Sequence, residues 1–154
     1  MKYISTRQHQ ATNIKTAILK GLADDGGLFM PEYIPQLDSE FFENLLNLSL
    51  QEIGFRVAKE FLGESISDDN LKEIIDEVLN FEIPAIKISE NIYSLELFHG
   101  PTMAFKDVGA RFMARMMSYF SGGKPMKVIA ATSGDTGSAV ASGFFGVPGI
   151  EVYI

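Results

Sequence analysis

Two short and almost continuously apolar segments near the end of the chain, KVIAA at 127–131 and IEVYI at 150–154, flank a segment with helical spacing. A strand, a helix and a second strand in this order predict a right-handed crossover and a parallel pair of strands. Strands this apolar are typical of a sheet covered on both faces, and two strands alone do not make such a sheet. We therefore expect the chain to be a fragment of a longer protein. Assembly with other copies that cover the sheet edge is the alternative.

The first half of the chain has a mainly helical pattern. The spacing of its apolar residues predicts four helices, with Thr12 as the N-cap of the first and Ser67 as the N-cap of the fourth. The helical segments are NIKTAILKGLA, DSEFFENLLNLS, SLQEIGFRVAKEFLG and SDDNLKEIIDEVLN.

The second half alternates strands and helices. After Pro84, the segment AIKISENIYSLELF alternates apolar and polar residues, which predicts a β-hairpin. A helix from about Met103 to Phe120 and another from about Thr136 to Phe145 follow. The predicted fold class is therefore α/β, with a helical part that contains short strands and then the beginning of a parallel sheet.

The charge balance and the absence of cysteine exclude several classes of function. Thirteen Lys and Arg residues against 20 Asp and Glu residues give a net charge of -7, which repels a nucleic-acid backbone. A small anionic ligand is still compatible with this charge, because backbone amides and one or two cations can hold it. Without cysteine there are no disulfides and no thiolate metal sites. The N-terminus lacks the apolar core of a signal peptide, and no run approaches the roughly 20 apolar residues that span a bilayer. We expect a cytoplasmic protein with neither nucleic-acid nor membrane partners.

A hydroxyl-rich glycine loop, TSGDTG at 132–137, joins the first apolar strand to the helix behind it. The first-turn amides of a helix have no backbone partner, and small residues let a ligand approach them, so the loop is suited to an anion. A tight turn in which Asp135 caps the helix is the alternative. The loop is not a Walker motif, because no Lys follows the glycines, and it is not a dinucleotide-binding G-x-G-x-x-G motif. Asp135 repels phosphate and suits a partner with hydrogen-bond donors or positive charge.

Lys106 is the second candidate residue, because it falls in the first turn of the helix predicted at 103–120. A positive charge there faces the positive end of the helix dipole, which costs about 0.3 to 1 kcal/mol. Desolvation against Phe105 and the helix N-terminus both disfavour the ammonium form, and this favours the nucleophilic amine that covalent chemistry needs. A surface lysine that extends into water is the alternative. We expect His99 and Asp107 to have structural roles, and no His, Asp or Glu cluster has metal-ligand spacing.

Lys106 and the glycine loop, one βα unit apart, resemble a known family. The segments KYISTR, AILKGLADDGGLFMPEYIP, LELFHGPTMAFKDVGARFMA and ATSGDTGSAV are similar to the signatures of threonine synthases and occur in the same order. The segment GLADDGGLFMPE separates that family from its relatives. The resemblance implies a fold-type II enzyme that uses pyridoxal 5′-phosphate (PLP) to convert O-phospho-L-homoserine and water into L-threonine and phosphate, the last step of threonine biosynthesis.

The resemblance also implies roles for individual residues. Lys106 matches the lysine of the family's FKD motif, which binds PLP covalently and then moves protons between substrate carbons. Phe105 would lie next to the cofactor, and Asp135 would form a hydrogen bond with its 3′-oxygen. The loop that binds the substrate carboxylate in the family matches Thr132, Ser133, Gly134, Asp135 and Thr136.

The resemblance divides the chain into a mostly helical N-terminal domain at 1–94 and the incomplete beginning of a PLP-binding α/β domain at 95–154. In the family, the groups that bind the PLP phosphate, the pyridine nitrogen and the substrate phosphate lie later in the chain. We therefore expect the 154-residue chain alone to bind PLP weakly and to form no threonine. The whole protein is expected to be a monomer or a homodimer. Another fold-type II PLP lyase, such as a dehydratase or a cysteine synthase relative, and a non-enzymatic phosphate-binding module are the alternatives.

Overall fold

The computed structural model describes all 154 residues, which form two compact units, Met1–Asp76 and Glu77–Ile154. The boundary between these units precedes the hairpin, whereas the domain boundary expected from the family resemblance follows residue 94. That domain boundary stays a prediction. None of the helices combines the length and the apolar character that crossing a bilayer requires.

The first unit combines a small antiparallel sheet with helices. Its strands are β1 (Tyr3–Ser5), β2 (Ala11–Thr12) and β3 (Phe29–Pro31), in the order β2-β1-β3. Its helices are α1 (Ile14–Lys20), α2 (Ser39–Glu43), α3 (Leu50–Leu62) and α4 (Asp68–Val78), and the last residues of α4 belong to the second unit. The helices lie where the apolar spacing predicts them, although the second predicted segment divides into α2 and a 3-10 turn at Leu45–Asn47.

Side-chain caps determine where α1 and α3 begin. The predicted cap Thr12 is wrong, because Thr12 is paired in β2 and Asn13 caps α1 by accepting a hydrogen bond from the amide of Thr16 at 2.8 Å. At α3, Ser49 and Glu52 form a reciprocal capping box. Such a cap typically stabilises a helix by about 1 kcal/mol.

The apolar face of α4 is buried as its spacing predicts. Leu71, Ile74 and Ile75 are at most 8% exposed, and burial of such a side chain contributes about 1.5 to 3 kcal/mol. Ser67 caps this helix as predicted, since its Oγ accepts a hydrogen bond from the amide of Asn70 at 3.4 Å. Packing of one apolar face, rather than helix propensity, therefore holds α4 in place.

A tight turn at Asp25 lies between α1 and β3, and hydrogen bonds join it to the end of β1. The Oγ of the buried Ser5 lies 2.7 and 2.8 Å from the two carboxylate oxygens of Asp25. The amides of Gly27 and Gln8 donate to the same carboxylate at 2.8 and 2.9 Å. All of these bonds favour the ionised form, with the Ser5 bond contributing most, so the pKa of Asp25 is lowered.

We expect this turn to make unfolding depend on pH in the acid range. Because the folded pKa of Asp25 lies below its unfolded value, the turn stabilises the fold fully above the unfolded pKa, and this contribution is lost as the pH falls through the folded pKa. In urea titrations below about pH 4, Asp25→Asn should therefore show a flatter dependence of the unfolding free energy on pH than the wild type. Asp24→Asn is the matched control, because that carboxylate pairs only with Lys20 on the surface. Equal flattening in both variants would contradict the assignment.

The second unit contains a hairpin and a parallel strand pair packed on two helices. Its elements are β4 (Ala85–Ser89), β5 (Ile92–Leu95), α5 (Lys106–Ser121), β6 (Met126–Ile129), α6 (Gly134–Phe144) and β7 (Ile150–Tyr153). β4 and β5 are antiparallel, whereas β6 and β7 are parallel with Met126 opposite Ile150. The α/β class, the hairpin and the parallel pair are therefore confirmed.

The core of the second unit lies between the two helices and one face of the parallel pair. Ala114, Phe144 and Val147 are buried at its centre, and Val128 of β6 packs against them. On the opposite face, Ile129 is 79% exposed. Within this chain the pair is thus covered on one face, whereas its apolar character predicts cover on both.

The starts of α5 and α6 both differ from their predicted positions. Met103 has a φ of 54°, which lies outside the right-handed helical region, so α5 begins at Lys106 and not at Met103. Gly134 has a φ of 60° and is the first residue of α6, two residues before the predicted start at Thr136. Lys106 is consequently the first residue of its helix.

Candidate functional site

Lys106 is partly buried at the first position of α5. Its Nζ lies 4.2 Å from the centre of the Phe105 ring, so the aromatic ring provides the apolar surface expected beside the amine. At this distance the ring face attracts an ammonium group, which counteracts the unfavourable effect of the helix dipole. The Phe105 ring is itself 59% exposed, so the ring and the amine are open to an incoming molecule.

The glycine loop forms the N-terminus of α6. Ser133 occupies the cap position with an extended backbone, and its side chain makes no capping hydrogen bond. Asp135 is the exposed second residue of the helix, so it does not cap α6 as the simple-turn alternative requires. The hydroxyl of Thr132 lies 3.5 Å from the carbonyl oxygen of Ser133, which is long for a hydrogen bond between oxygens. First-turn amides without a side-chain cap and a weakly bonded hydroxyl can therefore donate to a ligand.

α5 and α6 run in the same direction. Their contacts advance together along the two helices, since Gly143 of α6 packs against Ala110 near the start of α5. Further along, the Oγ of Ser118 in α5 donates to the carbonyl oxygen of Pro148, beyond the end of α6, at 2.8 Å. Helices whose contacts advance together are parallel, so their N-termini lie at the same end of the pair.

The rise of an α-helix gives the distance of each N-terminus from the contact between Ala110 and Gly143. At 1.5 Å per residue, Lys106 lies about 6 Å before Ala110, and Gly134 lies about 13 Å before Gly143. Because Ala110 and Gly143 are in contact, both N-termini lie on the same side of this contact, and α6 extends further from it than α5 does. Lys106 and the glycine loop therefore lie at the same end of the helix pair.

Sequence reasoning missed the residues that hold the two helices together. A Cβ added to Gly143 would lie 3.0 Å from the carbonyl carbon of Ala110 and 3.1 Å from the nitrogen of Arg111, so any other residue requires the backbone of α5 to move by a few tenths of an ångström. Nη1 of Arg115 donates to the carbonyl oxygens of Gly143 at 3.1 Å and Arg111 at 3.3 Å. The available signals are two arginines one turn apart and a glycine inside a predicted helix.

Asp107 and His99, for which the sequence predicts structural roles, both have partners. The carboxylate of Asp107 is buried and accepts hydrogen bonds from the amide and the hydroxyl of Thr102 at 2.9 and 2.6 Å. Nε2 of His99 lies 2.7 Å from a carboxylate oxygen of Glu96. No group of three or more His, Asp and Glu residues is arranged to hold a metal ion.

Comparison with known proteins identifies the family. The family model described as threonine synthase N terminus matches residues 2–79, just over half of the 154 residues. The chain belongs to the threonine synthase family. Over its whole length it is 36% identical to threonine synthase from Escherichia coli (strain K12), and over 90% of its length it is 43% identical to threonine synthase from Haemophilus influenzae.

Solved structures of threonine synthases have the same fold as this family member. The chain matches the crystal structure of PLP-bound threonine synthase from Brucella melitensis with a TM-score of 0.93 and 37% identity over 99% of its length. It covers 36% of the Escherichia coli protein, 32% of the Haemophilus influenzae protein and 34% of the Brucella melitensis chain. The chain therefore spans about a third of the length of the threonine synthases that it matches.

Proposed function

We propose that the full-length protein is a threonine synthase that uses PLP to convert O-phospho-L-homoserine and water into L-threonine and phosphate. The proposal rests on one observation: in a chain of this family, Lys106 and residues 132–136 lie at the same end of two parallel helices. The bound PLP of the Brucella melitensis relative supports the choice of cofactor. The cytoplasmic location and the monomeric or homodimeric state stay predictions.

The residues of this chain fit PLP, which is an aldehyde with a phenolic hydroxyl and a phosphate. Lys106 supplies the amine that an aldehyde requires, and the exposed ring of Phe105 lies beside it. The exposed carboxylate of Asp135, in the first turn of α6, is suited to accept a hydrogen bond from the phenolic 3′-hydroxyl. We propose that Lys106, Phe105 and Asp135 bind the cofactor, and that its phosphate and pyridine nitrogen are bound by residues later in the protein.

The N-terminus of α6 fits the carboxylate of an amino-acid substrate. First-turn amides and the hydroxyls of Thr132 and Thr136 are donors, and an anion is favoured at this end of a helix. We propose that the loop from Thr132 to Thr136, with Ser133, Gly134 and Asp135 between them, binds this carboxylate. Holding the substrate at a fixed group determines which of its Cα bonds faces Lys106, and this orientation contributes directly to the rate.

Lys106 is proposed to be the acid and base of the reaction. Bound PLP supplies an electron sink that makes the Cα proton of the substrate acidic. The amine of Lys106 would accept protons from the substrate carbons and return them, while the phosphate leaves from Cγ and water adds at Cβ. A single positioned amine serves these transfers well, because proton transfer by such a group contributes about 10² to 10⁴ in rate.

Borohydride reduction tests the role of Lys106 directly. Full-length protein that is incubated with PLP and then reduced should carry the phosphopyridoxyl group on the peptide that contains Lys106. A separate sample with PLP but without reduction should release phosphate and threonine from O-phospho-L-homoserine, and reduction should abolish this activity. Lys124, an exposed lysine after α5, should stay unmodified. Absence of the label from Lys106 would overturn the proposal. A label on Lys106 without threonine formation would favour another PLP lyase.

Gly134→Ala is expected to weaken substrate binding. Gly134 has a φ of 60°, and nothing lies within 4 Å of an added Cβ, so the substitution introduces backbone strain and no steric clash. A left-handed residue with a Cβ costs about 1 to 2 kcal/mol. If the loop shifts to relieve this strain, its amides move, and the KM for O-phospho-L-homoserine should rise about 5- to 30-fold.

Gly122→Ala is the matched control for this prediction. Gly122 at the end of α5 has a φ of 63° and also has nothing within 4 Å of an added Cβ. The two variants should lose similar unfolding free energy in denaturant titrations, while only Gly134→Ala changes KM. Equal KM values in the two variants would show that the loop does not bind the substrate.

A further inference from the structure

Asp107 is 1% exposed, less than any other charged residue of the chain. Its Oδ2 accepts a hydrogen bond from the amide of Thr102 at 2.9 Å, and its Oδ1 accepts one from the Thr102 hydroxyl at 2.6 Å. Removing an ionised carboxylate from water is unfavourable unless hydrogen bonds or an opposite charge compensate. The Thr102–Asp107 pair therefore requires a defined geometry from the backbone around it.

This pair encloses the residues that lead into Lys106. Asp107 follows Lys106 directly, and Thr102 precedes it by four positions. Between them, Met103 has a left-handed φ of 54°, a conformation that costs about 1 to 2 kcal/mol for a residue with a Cβ. The amide of Asp107 also donates to the carbonyl oxygen of Ala104 at 3.0 Å. These bonds hold the strained segment from Thr102 to Asp107 in one conformation. The side chain of Lys106 projects from the end of this segment.

Packing closes the other side of the Asp107 carboxylate. A Cβ added to Gly100 would lie 2.6 Å from Oδ2 of Asp107 and 3.0 Å from Cζ of Phe81, so no side chain fits at this position. Arg111, one turn after Asp107, lies 5.7 Å from the centre of the Phe81 ring and donates to the carbonyl oxygen of Glu77. Burial lowers the pKa of Arg111, and the nearby carboxylates of Asp107 and Glu77 counteract this effect. The carboxylate of Asp107 therefore has Thr102 on one side and the tightly packed Gly100 on another, which leaves it little room to move.

We propose that Asp107 is a positioning residue for Lys106: by binding Thr102, its carboxylate fixes the direction in which the lysine side chain leaves the helix. The inference rests on the proposed role of Lys106 and names the residue that orients it. A lysine side chain is flexible along its four-carbon stem, so the backbone determines its direction only through the positions of Cα and Cβ. Displacement of a reacting group by about 1 Å can lower a rate by about 10²-fold.

Asp107→Asn in the full-length protein tests the proposal. The substitution keeps the shape of the side chain but removes its charge, so the two charge-assisted bonds become neutral ones and the Thr102 hydroxyl has to reverse and accept from the new amide group. We expect attachment of PLP to Lys106 of the apoprotein, trapped with borohydride at timed intervals and quantified by peptide mapping, to slow at least about tenfold. The kcat for threonine formation should fall by a similar factor, while the KM for O-phospho-L-homoserine changes little.

Variants of Thr102 test the same pair from its other side. Thr102→Val removes the hydroxyl and keeps the side-chain shape, whereas Thr102→Ser retains the hydroxyl. PLP attachment should slow in Thr102→Val and stay close to the wild-type rate in Thr102→Ser. If Asp107→Asn does not fold, this comparison decides the question, because equal rates in the two Thr102 variants would overturn the proposal.

Ser121→Ala is the matched control for a purely structural effect. Ser121 is a buried polar residue at the other end of α5, and its Oγ donates to the carbonyl oxygen of Ser118 at 2.9 Å. This variant should lower the denaturation midpoint and leave the attachment rate unchanged. Slower attachment in Ser121→Ala, or a wild-type rate in Asp107→Asn, would overturn the positioning role. Absence of PLP from Lys106 in the wild type would overturn the proposed function as well, so the two failures are distinguishable.

Discussion

Replacing Lys106 with alanine in the full-length protein is expected to lower the kcat for threonine formation by at least about 10³-fold. The variant loses the covalent attachment of the cofactor and also the group that carries protons between the substrate carbons. Positioned proton transfer alone contributes about 10² to 10⁴ in rate, so the loss of both functions should exceed the middle of that range. Steady-state release of phosphate from O-phospho-L-homoserine measures the effect.

Lys106→Arg separates the catalytic role from that of a surface cation. Arginine keeps the positive charge, but its guanidinium stays protonated and cannot act as an amine nucleophile or a proton carrier. We therefore expect the arginine variant to be as inactive as the alanine variant. Lys124→Ala, at an exposed lysine of the same unit, should keep wild-type activity. Activity of Lys106→Arg within about tenfold of the wild type would favour the surface-cation alternative.

Gly143→Ala is expected to lower the free energy of unfolding and the activity together. The added Cβ would lie 3.0 Å from a backbone carbon of Ala110 and 3.1 Å from the nitrogen of Arg111, and backbone atoms cannot move aside as a flexible side chain does. Insertion of a methyl group into such a contact typically costs about 1 to 3 kcal/mol, which outweighs the roughly 0.5 to 1 kcal/mol that alanine gains over glycine inside a helix. Because α5 carries Lys106 and α6 carries the glycine loop, a displacement between the helices also changes the proposed site. Urea titration and steady-state kinetics measure the two effects.

Gly109→Ala is the control for the Gly143 prediction. Gly109 lies in α5 one residue before the contact, and nothing lies within 4 Å of an added Cβ. Alanine at an exposed helical position should raise the unfolding free energy by about 0.5 to 1 kcal/mol relative to glycine, with little change in kcat. A loss of stability as large as that of Gly143→Ala would show that helix spacing is not the cause.

Local pattern predicts the elements of this protein better than their boundaries. Apolar alternation and helical spacing were sufficient for the hairpin, the parallel pair and the helices of both units, because those patterns follow directly from which face of an element is buried. The start of α5 depends on the left-handed residue Met103. A methionine in that conformation has no sequence signal, since the surrounding tertiary structure imposes it. The predicted start of α5 was therefore too early.

The support of the proposed site could not be predicted for a related reason. Lys106 and the glycine loop stood out because a lysine at a helix start and a hydroxyl-rich turn are chemically distinctive, and the family resemblance connected them with PLP. The Thr102–Asp107 pair and the contact of Gly143 with Ala110 depend on how the backbone folds, and no spacing of residue types specifies them. Asp107 could be expected near the helix start, but its complete burial could not.

The common direction of α5 and α6 affects the electric field of the protein. Each helix carries about half a positive elementary charge at its N-terminus, so two such ends make a local positive pole. The second unit, which contains both helices, has seven Asp and Glu residues against six Lys and Arg residues, so its net charge is only -1 and does not cancel this pole. A molecule with a phosphate or a carboxylate is therefore expected to be attracted to this end of the helix pair. Parallel dipoles also repel each other while the end is empty, so a bound anion should stabilise the fold by more than its direct contacts alone.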